Sequence, residues 1–178
     1  MYSMHDNVHY IMSLVNGKMR PRSVLDVGMG WGKWGFLIRG QIDCCKHGAQ
    51  KQNWKTRIDA IEVFEPFVTD LHRYLYDNIY ITDFRTFQAT THYDLTIMGD
   101  SLEHVTPEEG KKFLKRAMQF STNIIISVPG FKDSQGTRLG NVHETHRAWY
   151  KPADFDSILP NCVVKSTGKL ITVFWRKR

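Results

Sequence analysis

Val24-Leu25-Asp26-Val27-Gly28-Met29-Gly30-Trp31-Gly32 decides the fold of this 178-residue chain. The aliphatic residues read as a short buried strand, Ser23 to Val27, and the alternating glycines as a sharp turn into a helix beginning near Lys33. Glycine has no Cβ, so a ligand can lie against such a turn. The helix that follows offers its unpaired N–H groups to that ligand. Two nucleotide motifs fail here. The dinucleotide fingerprint G-x-G-x-x-G needs glycine where Lys33 stands. A phosphate P-loop needs glycine at position 27 and Ser or Thr after its lysine, and those positions hold Val27 and Trp34.

Upstream, Val8, Ile11, Met12 and Val15 give one apolar face to a helix from about Ser3 to Val15, ended by Asn16-Gly17. Downstream, the glycine turn leads into a helix through about Arg39, with Gly40 at its C-terminus. Residues 41–56 are polar and read as an inserted loop. Strands are expected at Arg57 to Val63, Ile79 to Thr82, Tyr93 to Met98 and Asn123 to Val128, with a helix from Pro66 to about Tyr76 between the first two. Thr106, Pro107 and Glu109 spell an N-cap, a first helical position and a capping box for a helix to about Phe120. A long Gly- and His-rich loop, 129–151, precedes a short helix from Pro152 to Leu159. Cys162 to Ser166 and Leu170 to Trp175 then alternate around Thr167-Gly168 as a hairpin. The order predicts one α/β domain over residues 1–178. Its core is a doubly wound, mostly parallel seven-stranded sheet with a C-terminal antiparallel hairpin.

In such a sheet ligands sit at the carboxyl ends of the strands. Gly28 and Gly30 follow strand one, Glu62 ends strand two, Asp83 and Phe84 follow strand three, and Asp100 follows strand four. Asp26-x-Gly28-x-Gly30-x-Gly32 resembles motif I of the class I S-adenosyl-L-methionine (SAM) methyltransferases, and the element order resembles their Rossmann-like fold along the whole chain. The resemblance implies SAM as cofactor, with Asp26, Gly28 and Gly30 in the motif that meets the methionine moiety. It implies Glu62 on the ribose, Asp83 on the adenine amino group with Phe84 packed on the ring, and Asp100 on the SAM amino group. Glu65 is the second choice for the ribose.

The acceptor side is expected at Asp100-x-x-Glu103-His104 and at His143-Glu144-Thr145-His146, which the sheet topology brings to the same edge. This pairing resembles the metal-assisted ubiquinone-biosynthesis O-methyltransferases and the small-RNA 2′-O-methyltransferases; the loop also resembles small methyltransferases of phage and polysaccharide loci. Carried over by position, the metal ligands would be Asp100, Glu103, His104 and His146, with His143 in reserve. Glu103, His104 and His146 are the expected catalytic residues. Two imidazoles beside carboxylates suit Mn²⁺, Zn²⁺ or Fe²⁺ better than Mg²⁺. A metal-free site would use His104 or His146 as general base. In a purely structural reading, Glu103-His104 caps the next helix and His146 packs on Trp149.

Hydrophobic content of 42% and charged content of 24% are ordinary globular values. A net charge of +6 permits an anionic partner without requiring one. Three cysteines form no disulfide framework, which favours a reduced, cytoplasmic setting. No apolar run approaches a membrane span of ~18–20 residues. No Asn-Pro-Pro-Tyr stretch follows strand four, against DNA adenine methylation. The expectation is SAM-dependent O-methylation of a small-molecule or glycan hydroxyl. An RNA-directed 2′-O-methyltransferase, the nucleic-acid alternative, and a non-catalytic SAM-binding domain are the rivals. Oligomeric state is not legible.

Overall fold

The computed structural model describes residues 5–178. Seven strands form one sheet: β1 (Ser23–Val27), β2 (Arg57–Glu62), β3 (Asn78–Ile81), β4 (Tyr93–Gly99), β5 (Ser121–Pro129), β6 (Val163–Ser166) and β7 (Leu170–Arg176). Their order is β3-β2-β1-β4-β5-β7-β6. The first five are parallel, and β7 runs antiparallel to both β5 and β6. This is the sheet expected from the sequence.

The register carries the functional argument. Val27 pairs with Ile61, Glu62 with Ile81, and Gly99 with Ser127. The C-terminal ends of the parallel strands are therefore level, and the residues that follow them share one edge. The order reverses direction beside β1, where β2 lies on one side and β4 on the other. That crevice is the switch point where doubly wound sheets bind ligands.

Each face of the sheet is covered. On one side Ile11, Leu14, Trp34, Ile38 and Leu75 pack on Val24, Ile58 and Leu95; these come from α1 (Val8–Ser13) and the helical turn that continues it (Leu14–Met19), α2 (Lys33–Ile38) and α4 (Asp70–Leu75). On the other, Phe113, Leu114 and Ala117 of α5 (Pro107–Phe120) and Phe155 of α6 (Pro152–Asp156) pack on Leu25, Ile124 and Ile126. Asn7 ties the start of the described chain to the sheet: its side-chain amide donates to Ser127 Oγ (2.7 Å) and Thr172 Oγ1 (3.0 Å).

Several boundaries differ from the sequence expectation. The first helix does not stop at Asn16-Gly17 but continues as a wider helical turn over Leu14–Met19; residues 1–4 lie outside the described chain. Gly40 does not end α2 either. The helix widens through Arg39–Cys44 and closes at α3 (Cys45–His47), so half of the supposed 41–56 loop is helical. Arg39 is the reason. Its buried guanidinium pairs with Asp43 one turn on (2.8 Å), donates to the carbonyls of Leu75 and Thr56, and reaches Asp77 (2.9 Å). The 66–76 helix splits into a turn at Glu65–Phe67 and α4, because Thr69 and His72 form a capping box that starts α4 afresh. The α5 cap is as expected: Glu109 N–H donates to Thr106 Oγ1 (3.3 Å) and Thr106 N–H to Glu109 Oε2 (2.9 Å).

Candidate active site

A cleft of about 360 Å³ opens at the switch point. The glycine turn forms its floor. Gly28 has φ +72°, and a Cβ there would stand 2.8 Å from the Ser101 Cβ. Only glycine meets both conditions without strain. The Gly30 carbonyl accepts from His72 Nε2–H (3.0 Å), while His72 Nδ1 accepts from Thr69 N–H (3.0 Å). Burial holds this imidazole below its ordinary pKa, which suits the neutral form these bonds require.

Glu62 closes the β2 side. It is buried, and its two oxygens accept from Gly30 N–H (3.3 Å) and Phe64 N–H (2.9 Å). Burial raises its pKa against those donors. A carboxylate has about four acceptor positions, so two remain for a ligand. Asp83 and Phe84 line the next wall. Phe84 meets Phe113 edge-on at 5.0 Å. Both Asp83 oxygens are taken by Arg85, with Nη2 at 2.6 Å, and Arg85 Nη1 continues to Glu109 (2.6 Å). Burial works against ionisation of Asp83, but the Arg85 hydrogen bonds prevail and hold it below the ordinary value. Arg85 thus competes for the acceptor positions assigned to adenine.

Asp26 does not reach the cleft. It is 1% exposed, behind the turn, and accepts from Tyr76 Oη–H (2.6 Å); burial pushes its pKa up to about 6. Its place in motif I is therefore structural in this chain, a correction to the cofactor-contact expectation. Glu65 does not line the cleft. Asp100, at the end of β4, adopts φ +58°, uncommon for a residue with a Cβ. Its Oδ2 lies 3.4 Å from Lys33 Nζ.

Glu103, His104 and His146 converge: one ligand atom from each lies within 4.8 Å of the others. The histidine rings are 5.0 Å apart. Leu102–His104 forms a single tight turn, which carries His104 to the cleft wall. The 146–148 segment is pinned to it, since Arg147 N–H (2.7 Å) and Ala148 N–H (3.1 Å) both donate to the Glu103 carbonyl. His146 Nδ1–H donates to the Asp133 carbonyl (2.9 Å), leaving Nε2 as the acceptor nitrogen of the neutral ring. Asp100, expected as a fourth ligand, is not in this group, and neither is His143; both line the cleft.

Electrostatically the trio is unbalanced. Glu103 is 2% exposed, and burial followed by the Asp100 charge pushes its carboxyl well up. Burial, then the nearby His146, holds His104 down at about 4. Glu103 Oε2 and His104 Nδ1 are buried without a hydrogen-bond partner among the described residues. Such orphaned atoms ordinarily mark a missing water, ion or ligand. The capping explanation for Glu103-His104 fails, because Thr106 and Glu109 cap α5.

Glu144, in the stretch singled out from sequence but given no role there, lines the cleft, as do Arg85, Asn141 and Arg147, to which sequence reasoning gave no role. Glu144 and Arg147 flank His146 in a stretch already under suspicion; only its folding over the cleft could reveal them. His5, Trp31 and Trp34 also line the cleft. Tyr10 lies under Lys165 Nζ (4.4 Å).

The sheet order, the level strand ends and the glycine-floored cleft define the Rossmann-like fold of the class I SAM-dependent methyltransferases. No protein-family model and no curated protein matches the sequence. Solved structures do match in fold. DhpI, in a complex with SAM and HEP, aligns at TM-score 0.72 and 13% identity, over 96% of this chain and 86% of that one. The N-terminal domain of EvdMO1 with S-adenosylhomocysteine (SAH) bound aligns at 0.67 and 18%, over 99% and 83%. A SAM-dependent methyltransferase from Clostridium acetobutylicum aligns at 0.67 and 12%, over 96% and 89%. Among the described residues no helix is long and apolar enough to cross a membrane.

Proposed function

We propose that this chain is a methyltransferase that moves the methyl group of SAM to a hydroxyl on a small molecule or glycan. The observation that carries the reading is the continuity of the glycine-floored cleft with the Glu103–His104–His146 group: His104 belongs to both. Gly28, Gly30 and Glu62 would hold the methionine and ribose portions. The Asp83–Arg85 pair, with Phe84, would bound the adenine. Among the solved structures of similar fold, the N-terminal domain of EvdMO1 has been crystallised with SAH in the presence of D-fucose, a sugar.

The same group fits a divalent cation. Two atoms able to coordinate, Glu103 Oε2 and His104 Nδ1, are buried and unpartnered, and His146 presents Nε2 with its other nitrogen fixed by a carbonyl. Glu103, His104 and His146 would hold the ion, with Mn²⁺, Zn²⁺ or Fe²⁺ suited to this donor set. Bound there, a cation would lower the pKa of an acceptor hydroxyl. The chain's own part is to place the acceptor oxygen in line with the sulfur–methyl bond and to keep bulk water out with Trp34 and Leu102, both buried. A second, metal-free reading rests on position: His104 lines the cleft with Nδ1 unpartnered among the described residues and can take the hydroxyl proton, as a base weakened by its pKa of about 4.

Metal removal separates the two. Glu103→Ala and His146→Ala are expected to abolish methyl transfer while leaving SAM affinity within about twofold, since neither side chain lines the cofactor cleft. Dialysis against a chelator should silence the wild type, and Mn²⁺ should restore it. Full activity of the chelated wild type and of both variants would remove the metal and leave His104 as the base. RNA binding by gel shift at low salt tests the RNA-directed alternative, and its absence removes it.

A further inference from the structure

The glycine turn is gripped from outside the cleft by two rings that do not line it, His72 of α4 and Tyr76 just past the end of that helix. The rings lie nearly parallel, 8° apart in plane, with centroids 6.4 Å apart. Tyr76 Oη–H donates to Asp26 Oδ2 (2.6 Å), on the strand that enters the turn. His72 Nε2–H donates to the Gly30 carbonyl (3.0 Å), in the middle of the turn. The imidazole also fills the space beside Gly32, where a Cβ would stand 3.2 Å from its Cδ2. The Trp31 backbone lies within reach of the same ring.

The direction of these bonds is fixed by their backbone partners. A backbone N–H can only donate, and Thr69 N–H meets His72 Nδ1 at 3.0 Å, with Thr69 Oγ1 at 2.8 Å. Nδ1 is therefore bare, and the ring hydrogen stands on Nε2, where the Gly30 carbonyl accepts it. Gly30 is held on its other side too: its N–H donates to Glu62 Oε2 (3.3 Å). Its φ is +51°, and glycine has no side chain to keep it there. A continuous chain thus runs from the start of α4 through His72 and Gly30 to Glu62, whose other oxygen accepts from Phe64 N–H (2.9 Å).

We propose that His72 is a positioning residue for the cofactor, which holds Gly30 so that Glu62 presents its oxygens to the ribose. The inference rests on the methyltransferase reading. Without the bond from His72, Gly30 regains its backbone freedom and its N–H leaves Glu62 Oε2. The carboxylate then keeps only Phe64 N–H and turns about its own side-chain bonds. Ribose hydroxyls would meet a group that must first be re-aimed, and binding weakens by that cost. His72 itself touches no part of the cofactor and exchanges no proton with it.

Two substitutions separate the two ring nitrogens. His72→Gln places an N–H donor where Nε2 stands and gives up the Nδ1 acceptor; His72→Asn places an acceptor where Nδ1 stands and gives up the donor to Gly30. SAM titration of the full chain, beside urea unfolding, reads both. His72→Asn should weaken SAM binding about fivefold, the scale of one lost hydrogen bond, while unfolding no earlier than His72→Gln. His72→Gln should bind SAM within about twofold of wild type. In a Glu62→Gln background His72→Asn should cost less than it does alone, because the contact it aims is already impaired. Affinity that follows stability across the two variants, equal affinity in both, or full additivity with Glu62→Gln overturns the inference while the methyltransferase reading stands. If wild type does not bind SAM, both fall. Should neither variant fold, the ¹⁵N signals of the His72 ring in the wild type decide: the Nε2–H signal should shift on saturation with SAM, and a ring indifferent to SAM overturns the inference.

Discussion

Gly28 and Asp26 show how two residues of one motif can be needed for different reasons. Gly28 is required for space and backbone sign, with φ +72° and Ser101 Cβ 2.8 Å from where a Cβ would stand. Gly28→Ala should cost about 1–3 kcal/mol of stability in urea unfolding, from left-handed strain plus the clash. Adding Ser101→Gly should return part of that loss, because it removes the clash but not the strain; no recovery would place the whole cost in the backbone. Asp26 is required for its hydrogen bond to Tyr76, within the core. Its folded pKa of about 6 lies above the ordinary carboxylate value. The folded state therefore holds a proton that the unfolded state has already lost. The stability from Asp26 is full below about pH 4 and disappears as pH rises through about 6. Asp26→Asn should flatten the stability profile between those limits, by up to about 3 kcal/mol. An unchanged profile would assign the titration elsewhere.

Helix α2 and its continuation show what residue patterns conceal. Gly40 and the polar run after it carry every local sign of a helix end and a loop. They are overruled by Arg39, a charged residue buried at 1% exposure, whose partners come from positions 43, 56, 75 and 77. A long-range hub of this kind leaves no periodic trace in sequence. Arg39→Met should destabilise the fold by about 3–5 kcal/mol, because Asp43 is left buried without its cation. Arg39→Met with Asp43→Leu should recover much of the loss; a single-variant cost below about 1 kcal/mol would show that the hub is not needed. Helix α5 is the opposite case. Its start was legible because Thr106, Pro107 and Glu109 act on their own neighbours. The level strand ends were legible too, since alternation and apolar runs fix strand ends to within a residue or two. That is why Gly28, Glu62, Asp83 and Asp100 could be placed along one edge.

Across the whole molecule, the sheet explains why the two halves of the cleft meet. The glycine turn and Glu62 come from strands on one side of the order reversal; Glu103 and His104 follow β4 on the other, and His146 arrives on the segment after β5. Gly28, Glu62, Asp83 and Asp100, read from strand ends, lie along the cleft because topology alone dictates their position. Residues on the 129–151 segment were only partly legible. Glu144 and Arg147 owe their positions to hydrogen bonds with Gln135 and Glu103, which follow from tertiary packing. The cleft beside β1 is proposed as a SAM site with Glu62 as its ribose acceptor. Equilibrium binding of SAM to the full chain, set beside Glu62→Ala, tests it most directly. Saturable binding to the wild type and a loss of about 1.5–3 kcal/mol in the variant, the range for hydrogen bonds to a charged group, are expected. An equal dissociation constant for the two proteins, or no binding to the wild type, would contradict it.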